Sequence, residues 1–272
     1  MDEGYRADNG DFFPDQGGVP SFLPVEQRQE EEEERSDFVN RVKTLLRKSP
    51  WLYRALIFWI SPVCYVGTTA PKFLKKYPGE SLILNVGSGV HRYRPDMINI
   101  DIFPYKEVDV VGDAGALPFA SNSIDAVICE CLLEHMPHPE RAVSEMIRVL
   151  KPGGEAYIVV PFIYPFHACP NDFYRWSATG VRTLCGRDGT DVVEVSPRAG
   201  PTSALVAQLV IWLAITFSFG STKIYNVLSM LFLLPLFPLK FLDLIVGRFP
   251  TALHGAEGFY AIVRKAKIPI KQ

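Results

Sequence analysis

The sequence predicts an α/β fold, a doubly wound and mostly parallel sheet. Three observations predict it. Short apolar runs recur between residues 82 and 161, and several end in a glycine turn or a carboxylate. One helical pattern with a clear apolar face lies between two of those runs. A long apolar stretch then separates the last two strand-like segments near the C-terminus.

The first run, Leu82-Ile83-Leu84-Asn85-Val86, has four apolar residues in five and passes straight into Gly87-Ser88-Gly89. Glycines at a strand tip let the backbone take unusual dihedrals and admit a ligand closely. The second run, Met97-Ile98-Asn99-Ile100-Asp101, ends in a carboxylate, and the third, 108–114, ends in Asp113-Ala114. The fourth, 123–129, leads into 130–138. Residues 139–150 then place Val143, Met146, Ile147 and Leu150 on one helical face. Lys151-Pro152-Gly153-Gly154 stops that helix, and 155–161 reads as a fifth strand. Segments 191–195 and 258–264 complete the strand set. The connection 87–96 is at the lower limit for a parallel crossover, so any helix in it must be very short. Backbone amides are therefore expected to hold the ligand there, with little help from a helix dipole.

This ordered set resembles the class I S-adenosylmethionine-dependent methyltransferases, in the type 11-like branch, over roughly residues 80–200 and the last strand. The shared marks are the glycine turn, an aspartate after the third strand, Leu133-Glu134-His135 after the fourth, and Leu150-Lys151-Pro152-Gly153-Gly154. The resemblance implies a Rossmann-like, seven-stranded sheet with the last strand antiparallel. It also implies S-adenosyl-L-methionine as cofactor. Asn85, Gly87, Ser88 and Gly89 would surround its methionine part, Asp101 with Ile102 its ribose, and Asp113 with Ala114 its adenine, with Glu130 at the fourth strand tip. Two residues depart from the pattern. Asn85 stands where an acid is usual and so brings no charge to the cofactor's ammonium. His91 stands where a third glycine is frequent.

The chain has 272 residues, 48% of them apolar, enough for one full domain with appendages. A net charge of −2 predicts no electrostatic grip on nucleic acid. The cysteines lack framework spacing, and the acidic N-terminus does not read as a signal peptide, so a cytoplasmic setting is expected. Residues 1–36 read as a disordered acidic tail closed by the glutamate run 30–34. Residues 37–78 form a basic and apolar helical segment. Within it, 51–66 suits a helix lying at a membrane surface or packed on the sheet edge. The core is expected over 79–201, an apolar insertion over 202–250, and the last strand with a tail over 251–272.

Two constellations compete for the chemistry. Cys129, Cys131, His135 and His138 have the residue types of a metal site. However, Cys129 ends a buried strand, so no metal is expected and His135 is given a structural or cofactor-wall role. The loop after the fifth strand, 161–177, brings His167, Asp172 and Arg175 together with aromatic rings. It lies where doubly wound sheets bind ligands, and its Pro161-Phe162-x-x-Pro165-x-His167 and Asp172-x-x-Arg175 pattern is similar to glycan-linked and uncharacterised methyltransferases of the same branch. His167 is the candidate base, Asp172 its orienting group, and Arg175 the holder of an anionic or sugar group of the acceptor. A purely structural role for all three is the alternative.

The insertion holds two apolar stretches, 204–219 and 224–246, the second interrupted by Pro235, Pro238, Lys240 and Asp243. The flanking strands must pair, so the chain has to leave and return on one side of a membrane. A hairpin turning near Gly220-Ser221-Thr222 and dipping into one leaflet satisfies this. A lid or a dimer interface is the soluble alternative. The expected function is methyl transfer to a membrane-associated, glycan-like or apolar small molecule at the cytosolic face of a membrane. The alternatives are a non-catalytic membrane-associated binding protein on the same fold, or a nicotinamide-dependent oxidoreductase.

Overall fold

The computed structural model describes residues 4–6, 12–14, 19–23, 61–167, 171–187 and 189–267. Near the N-terminus, β1 (Gly4–Arg6) pairs antiparallel with β2 (Phe12–Pro14). The main sheet contains β3 (Ile83–Val86), β4 (Ile98–Asp101), β5 (Val110–Val111), β6 (Ile124–Glu130), β7 (Leu150–Pro161), β8 (Thr190–Ala199) and β9 (Gly258–Lys265). Its seven strands run in the order β5-β4-β3-β6-β7-β9-β8. The strands β3 to β7 are mutually parallel, and β9 is antiparallel to both β7 and β8. That is the expected seven-stranded, Rossmann-like sheet with an antiparallel last strand. The order reverses between β3 and β4 on one side and β6 on the other, which opens a crevice at their carboxyl ends.

Alternation along the strands builds two cores. Leu84, Val86, Val127, Cys129, Ile158, Val160, Phe259 and Ala261 face one side. There they meet Ala142, Val143, Met146 and Val149 of α2 (Pro139–Val149) and Val181 and Cys185 of α3 (Ala178–Cys185). Ile83, Ala126, Ile128, Tyr157, Val159 and Tyr260 face the other side, against Ala70, Phe73 and Leu74 of α1 (Ala70–Leu74). Each fully buried Leu, Ile or Val contributes about 1.5–3 kcal/mol. The sheet is thus the common wall of both cores.

The crossover 87–97 differs from the expectation of a very short helix, because it contains no helix at all. Two guanidinium groups replace the missing ladder. Arg92 donates to the carbonyls of Met97 and Glu107 and to both carboxylate oxygens of Asp109, each at 2.7 Å. Arg94 donates to the carbonyls of Tyr77 and Pro78 at 2.9 and 3.1 Å. A short loop has too few residues to satisfy its own polar groups, and arginine supplies several donors in a fixed fork.

Part of the expected disordered tail is packed. Ser21 forms a parallel bridge with Val111, and Leu23 is buried with Val108 and Val111 against the edge strand β5. Edge strands expose unpaired backbone groups, and this segment covers one. The expected helix at 51–66 lies outside the described residues except for 61–66, which is not helical and pairs through Tyr65 with Ala199.

The insertion between β8 and β9 is a helical hairpin, as expected. It consists of α4 (Pro201–Ser218) and α5 (Thr222–Leu236), followed by a 3-10 turn (Phe237–Leu242), α6 (Asp243–Val246) and a second 3-10 turn (Pro250–Gly255). The turn is made by Phe219 and Gly220, both at positive φ. The polar residues that interrupt its return leg fasten it to the domain. Asp243 accepts from the amides of Thr202 and Ser203 at 2.9 and 2.8 Å, capping α4 from across the hairpin. Lys240 donates to the Ser61 carbonyl at 2.8 Å.

Candidate active site

The glycine turn after β3 is a strained bend that only glycine makes cheaply: Gly87 and Gly89 have φ of +68° and +53°. A Cβ on Gly87 would strike Leu132 at 2.9 Å, whereas one on Gly89 would meet nothing within 4 Å. Gly89 therefore faces open space at the tip of the first parallel strand. Beside it the buried hydroxyl of Ser88 has no hydrogen-bond partner among the described residues. The amides of this turn, which were expected to hold the cofactor, are taken within the protein. Gly87 and Ser88 donate to the Ile100 carbonyl at 2.9 and 3.1 Å, and Gly89 donates to Asp101 Oδ2 at 2.7 Å. Asn85 is likewise engaged: its Nδ2 donates to the His91 carbonyl at 2.9 Å and to Asn99 Oδ1 at 3.2 Å. An aspartate could not donate to that carbonyl, so the amide at 85 suits the helix-free crossover.

Asp101 stands at the tip of β4, where it also receives the Phe103 amide at 2.9 Å. Ile102 follows it and packs on the cluster of Leu23, Val108 and Val111. After β5, Asp113 receives the Gly115 amide at 2.8 Å, with Ala114 buried beside it. Glu130 ends β6 and accepts the Tyr93 hydroxyl, and burial raises its pKa against the opposing effect of that bond and of Arg198. Residues 87–89, 101 and 113 thus stand at the carboxyl ends of three neighbouring strands. The glycine opening and the unpartnered Ser88 hydroxyl fit a polar ligand laid across those tips.

The second part of the site joins the loop after β6 to the loop after β7. The Phe173 amide donates to the Glu134 carbonyl at 2.7 Å, Tyr174 Oη to the Pro137 carbonyl at 2.9 Å, and His135 Nδ1 to the Asn171 carbonyl. These bonds lay residues 171–174 over the 3-10 turn Leu133–His135. His167 is held by its amide, which donates to Asp172 Oδ2 at 2.8 Å, and by Nδ1, which lies 3.1 Å from the Pro165 carbonyl. Asp172 thus holds residue 167 through its backbone, and its Oδ2 lies 3.5 Å from the ring nitrogen Nδ1. Burial pushes Asp172 up, and its bonds from Arg175 and the His167 amide outweigh that and hold it at about 2.

Arg175 differs from the expected acceptor clamp. Its guanidinium donates to the carbonyls of Tyr164, Pro165 and Tyr174 and to both oxygens of Asp172. Those bonds engage every N–H it has, so Arg175 shapes the loop. Of the four residues with metal-site types, Cys129 is fully buried, Cys131 accepts from Arg198, and His138 lies by Glu140.

The residue that sequence reasoning passed over is Glu134. Its side chain is 0% exposed, neither carboxylate oxygen has a hydrogen-bond donor among the described residues, and Oε1 is 3.8 Å from His167 Nε2. Burial raises its pKa to about 7, against the lowering influence of its own backbone, Arg198 and Arg175. His167 shifts down, chiefly through burial. The rings of His135 and His167 meet edge to face with centroids 5.2 Å apart. The signal was an acid directly after apolar Leu132-Leu133, a place where a carboxylate is costly unless it is used.

A sheet in this order, with a glycine turn and successive acids at its carboxyl edge, has the architecture of the class I S-adenosylmethionine-dependent methyltransferases, and part of the sequence matches that class. Residues 91–158 match a family described as a methyltransferase domain. The chain is 48% identical over 56 residues to a demethylmenaquinone methyltransferase of Renibacterium salmoninarum, covering 21% of this chain and 23% of that protein. It is 32% identical over 116 residues to the ubiquinone/menaquinone biosynthesis C-methyltransferase UbiE of Cereibacter sphaeroides, covering 41% and 43%. The chain therefore spans less than half the length of each of these relatives. A putative methyltransferase from Bacillus halodurans superposes with a TM-score of 0.46 at 17% identity, over 72% of this chain and 97% of that one. The cofactor of the domain is S-adenosylmethionine, and the nicotinamide alternative gains nothing from these matches.

Proposed function

We propose that this chain transfers the methyl group of S-adenosylmethionine to an apolar acceptor, quinone-like or lipid-linked, taken from a membrane surface. One relationship carries the reading: the apolar hairpin is rooted at the same sheet edge as the site. Pro161, where the loop bearing His167 begins, pairs with Gly258, and Gly258 pairs with Ala199. The hairpin leaves after Ala199 and returns before Gly258. Phe162 and Ile163 also donate to the carbonyls of Glu257 and Ala256 at 2.8 and 3.4 Å.

The hairpin has the surface of a membrane-dipping element. No residue of α5 is buried, and Val227, Leu231 and Leu234 are 67%, 56% and 54% exposed. By length and composition Pro201–Ser218 and Thr222–Val246 could each cross a membrane. A shallow insertion is favoured by Pro235, Pro238, Lys240 and Asp243 in the return leg and by the return to the same side. The names of the two curated relatives point to quinone acceptors, which suits this surface.

Methyl transfer from a sulfonium is an in-line displacement in which positioning does most of the work. Here the cofactor lies over Gly89, Asp101 and Asp113, and the loop 162–177 walls the acceptor. A hydroxyl or activated carbon acceptor must lose a proton, and His167 with Glu134 behind it is assigned to that removal. The test pairs flotation on neutral liposomes with a labelled-cofactor assay using quinols and total lipid extract. Association with the vesicles and label in the lipid fraction are expected. A protein that stays soluble and monomeric without detergent overturns the membrane reading, and a folded protein that binds no S-adenosylmethionine overturns the methyl-transfer reading.

A further inference from the structure

We propose that Glu134, His135 and His167 form a site for one divalent transition-metal ion of the zinc class. The donor atoms that these three side chains offer lie within 4.8 Å of one another. They come from two loops that the bonds 173 to 134 and 135 to 171 hold together.

His167 Nδ1 lies 3.1 Å from the Pro165 carbonyl, an acceptor, and 3.3 Å from Arg175 Nη2, a donor, and a metal on Nε2 would select the tautomer with the proton on Nδ1. His135 is prepared as a ligand: a carbonyl oxygen can only accept, so the contact of its Nδ1 with Asn171 puts the proton there and leaves the lone pair on Nε2. A metal-bound histidine normally shows this arrangement, with its second nitrogen tied to a carbonyl or carboxylate.

The third ligand is the buried carboxylate of Glu134. Among the described residues neither oxygen has a donor, and an ionised carboxylate buried in that way is unfavourable unless a proton or a cation neutralises it. The two nearby arginines do not, because each is matched to another acid, Arg175 to Asp172 and Arg198 to Glu257. With those pairs balanced, an ionised Glu134 and two neutral imidazoles leave one negative charge facing the space between them.

Two imidazoles and a carboxylate are a recurring catalytic zinc set that keeps coordination positions open. Bonds of about 2.0–2.2 Å bring such ligand atoms to roughly 3–3.5 Å from one another. The observed 3.8 Å between Glu134 Oε1 and His167 Nε2 needs only a small closure. An acceptor oxygen in an open position would lose its proton at lower pH, since a bound divalent ion acidifies it. Bound through Nε2, His167 would then act as a ligand in place of a base, and the proton would leave to solvent.

The full-length protein, stripped with a chelator, is titrated with Zn2+ alone by calorimetry and with Co2+ by visible absorption. One equivalent of Zn2+ and intense d–d bands of a low-coordinate Co2+ site are expected. Glu134→Gln, His135→Ala and His167→Ala should each weaken Zn2+ binding at least a hundredfold, and the exposed His254→Ala should leave it unchanged. Absence of stoichiometric binding by the wild type overturns the proposal, as does undiminished binding by folded Glu134→Gln and His167→Ala proteins. The wild-type Co2+ spectrum decides the matter even where a variant fails to fold. None of these measurements uses S-adenosylmethionine or an acceptor, so a negative result leaves the methyl-transfer reading intact.

Discussion

Arg198 and Glu257 form a buried ion pair at the root of the hairpin, with Arg198 Nη2 2.6 Å from Glu257 Oε1 and Nε 3.1 Å from Oε2. The pair ties the end of β8 to the residue before β9, where the hairpin leaves and rejoins the sheet. Arg198 also donates to Cys131 Sγ and lies over the Tyr65 ring, so one guanidinium links the hairpin root to the loop that carries Glu134.

Removing one partner of such a pair leaves an uncompensated buried charge. Glu257→Ala should therefore destabilise the domain by about 3–5 kcal/mol in urea unfolding. Replacing both residues with apolar side chains of similar volume should cost far less. A loss below 1 kcal/mol for the single variant would show that water reaches Arg198.

Asp101→Ala removes a carboxylate from the tip of β4 together with its bond to the Gly89 amide. S-adenosylmethionine binding should weaken by about 1.5–3 kcal/mol in calorimetry, the worth of a charge-assisted bond. Unchanged affinity in a variant of unchanged melting temperature would move the ribose away from Asp101.

His167→Ala is expected to lower methyl transfer about a hundredfold or more with cofactor affinity unaltered. The hydrogen bond from residue 167 to Asp172 comes from the backbone and survives the substitution, so the loop should stay in place. Turnover at the wild-type level would reduce His167 to a loop component.

Glu155 supplies a pH dependence remote from the site. Burial alone would raise its pKa, but bonds from Lys76 and Arg264 together hold it below the usual range. A depressed folded-state pKa contributes stability that is complete above the unfolded value of about 4.3 and is lost as pH falls through the folded value. Urea midpoints should therefore fall more steeply below about pH 5 for the wild type than for Glu155→Gln. Parallel curves would rule out this linkage.

Much of the architecture was legible in the sequence because it rests on local signals. Strand runs with period two, the apolar face of residues 139–150, the glycine turn and the acids at strand tips are properties of short segments. The hairpin was legible from length and apolarity, and its return to the sheet from the need of β8 and β9 to pair.

The tertiary structure decided which polar side chains are spent and which are left over, because that depends on contacts between residues distant in sequence. Asn85 and Arg175 read as cofactor and acceptor ligands from their positions, yet the helix-free crossover consumes one and the loop after β7 consumes the other. Asp243 and Lys240 read as interruptions of an apolar helix, and packing turned them into the anchors of its return leg. Glu134 read as part of a motif. Only the fold buried it without a donor among the described residues and brought His167 from another loop to its side. Sequence spacing sets the strands and their tips. The balance of buried charge is settled only when every neighbour is in place.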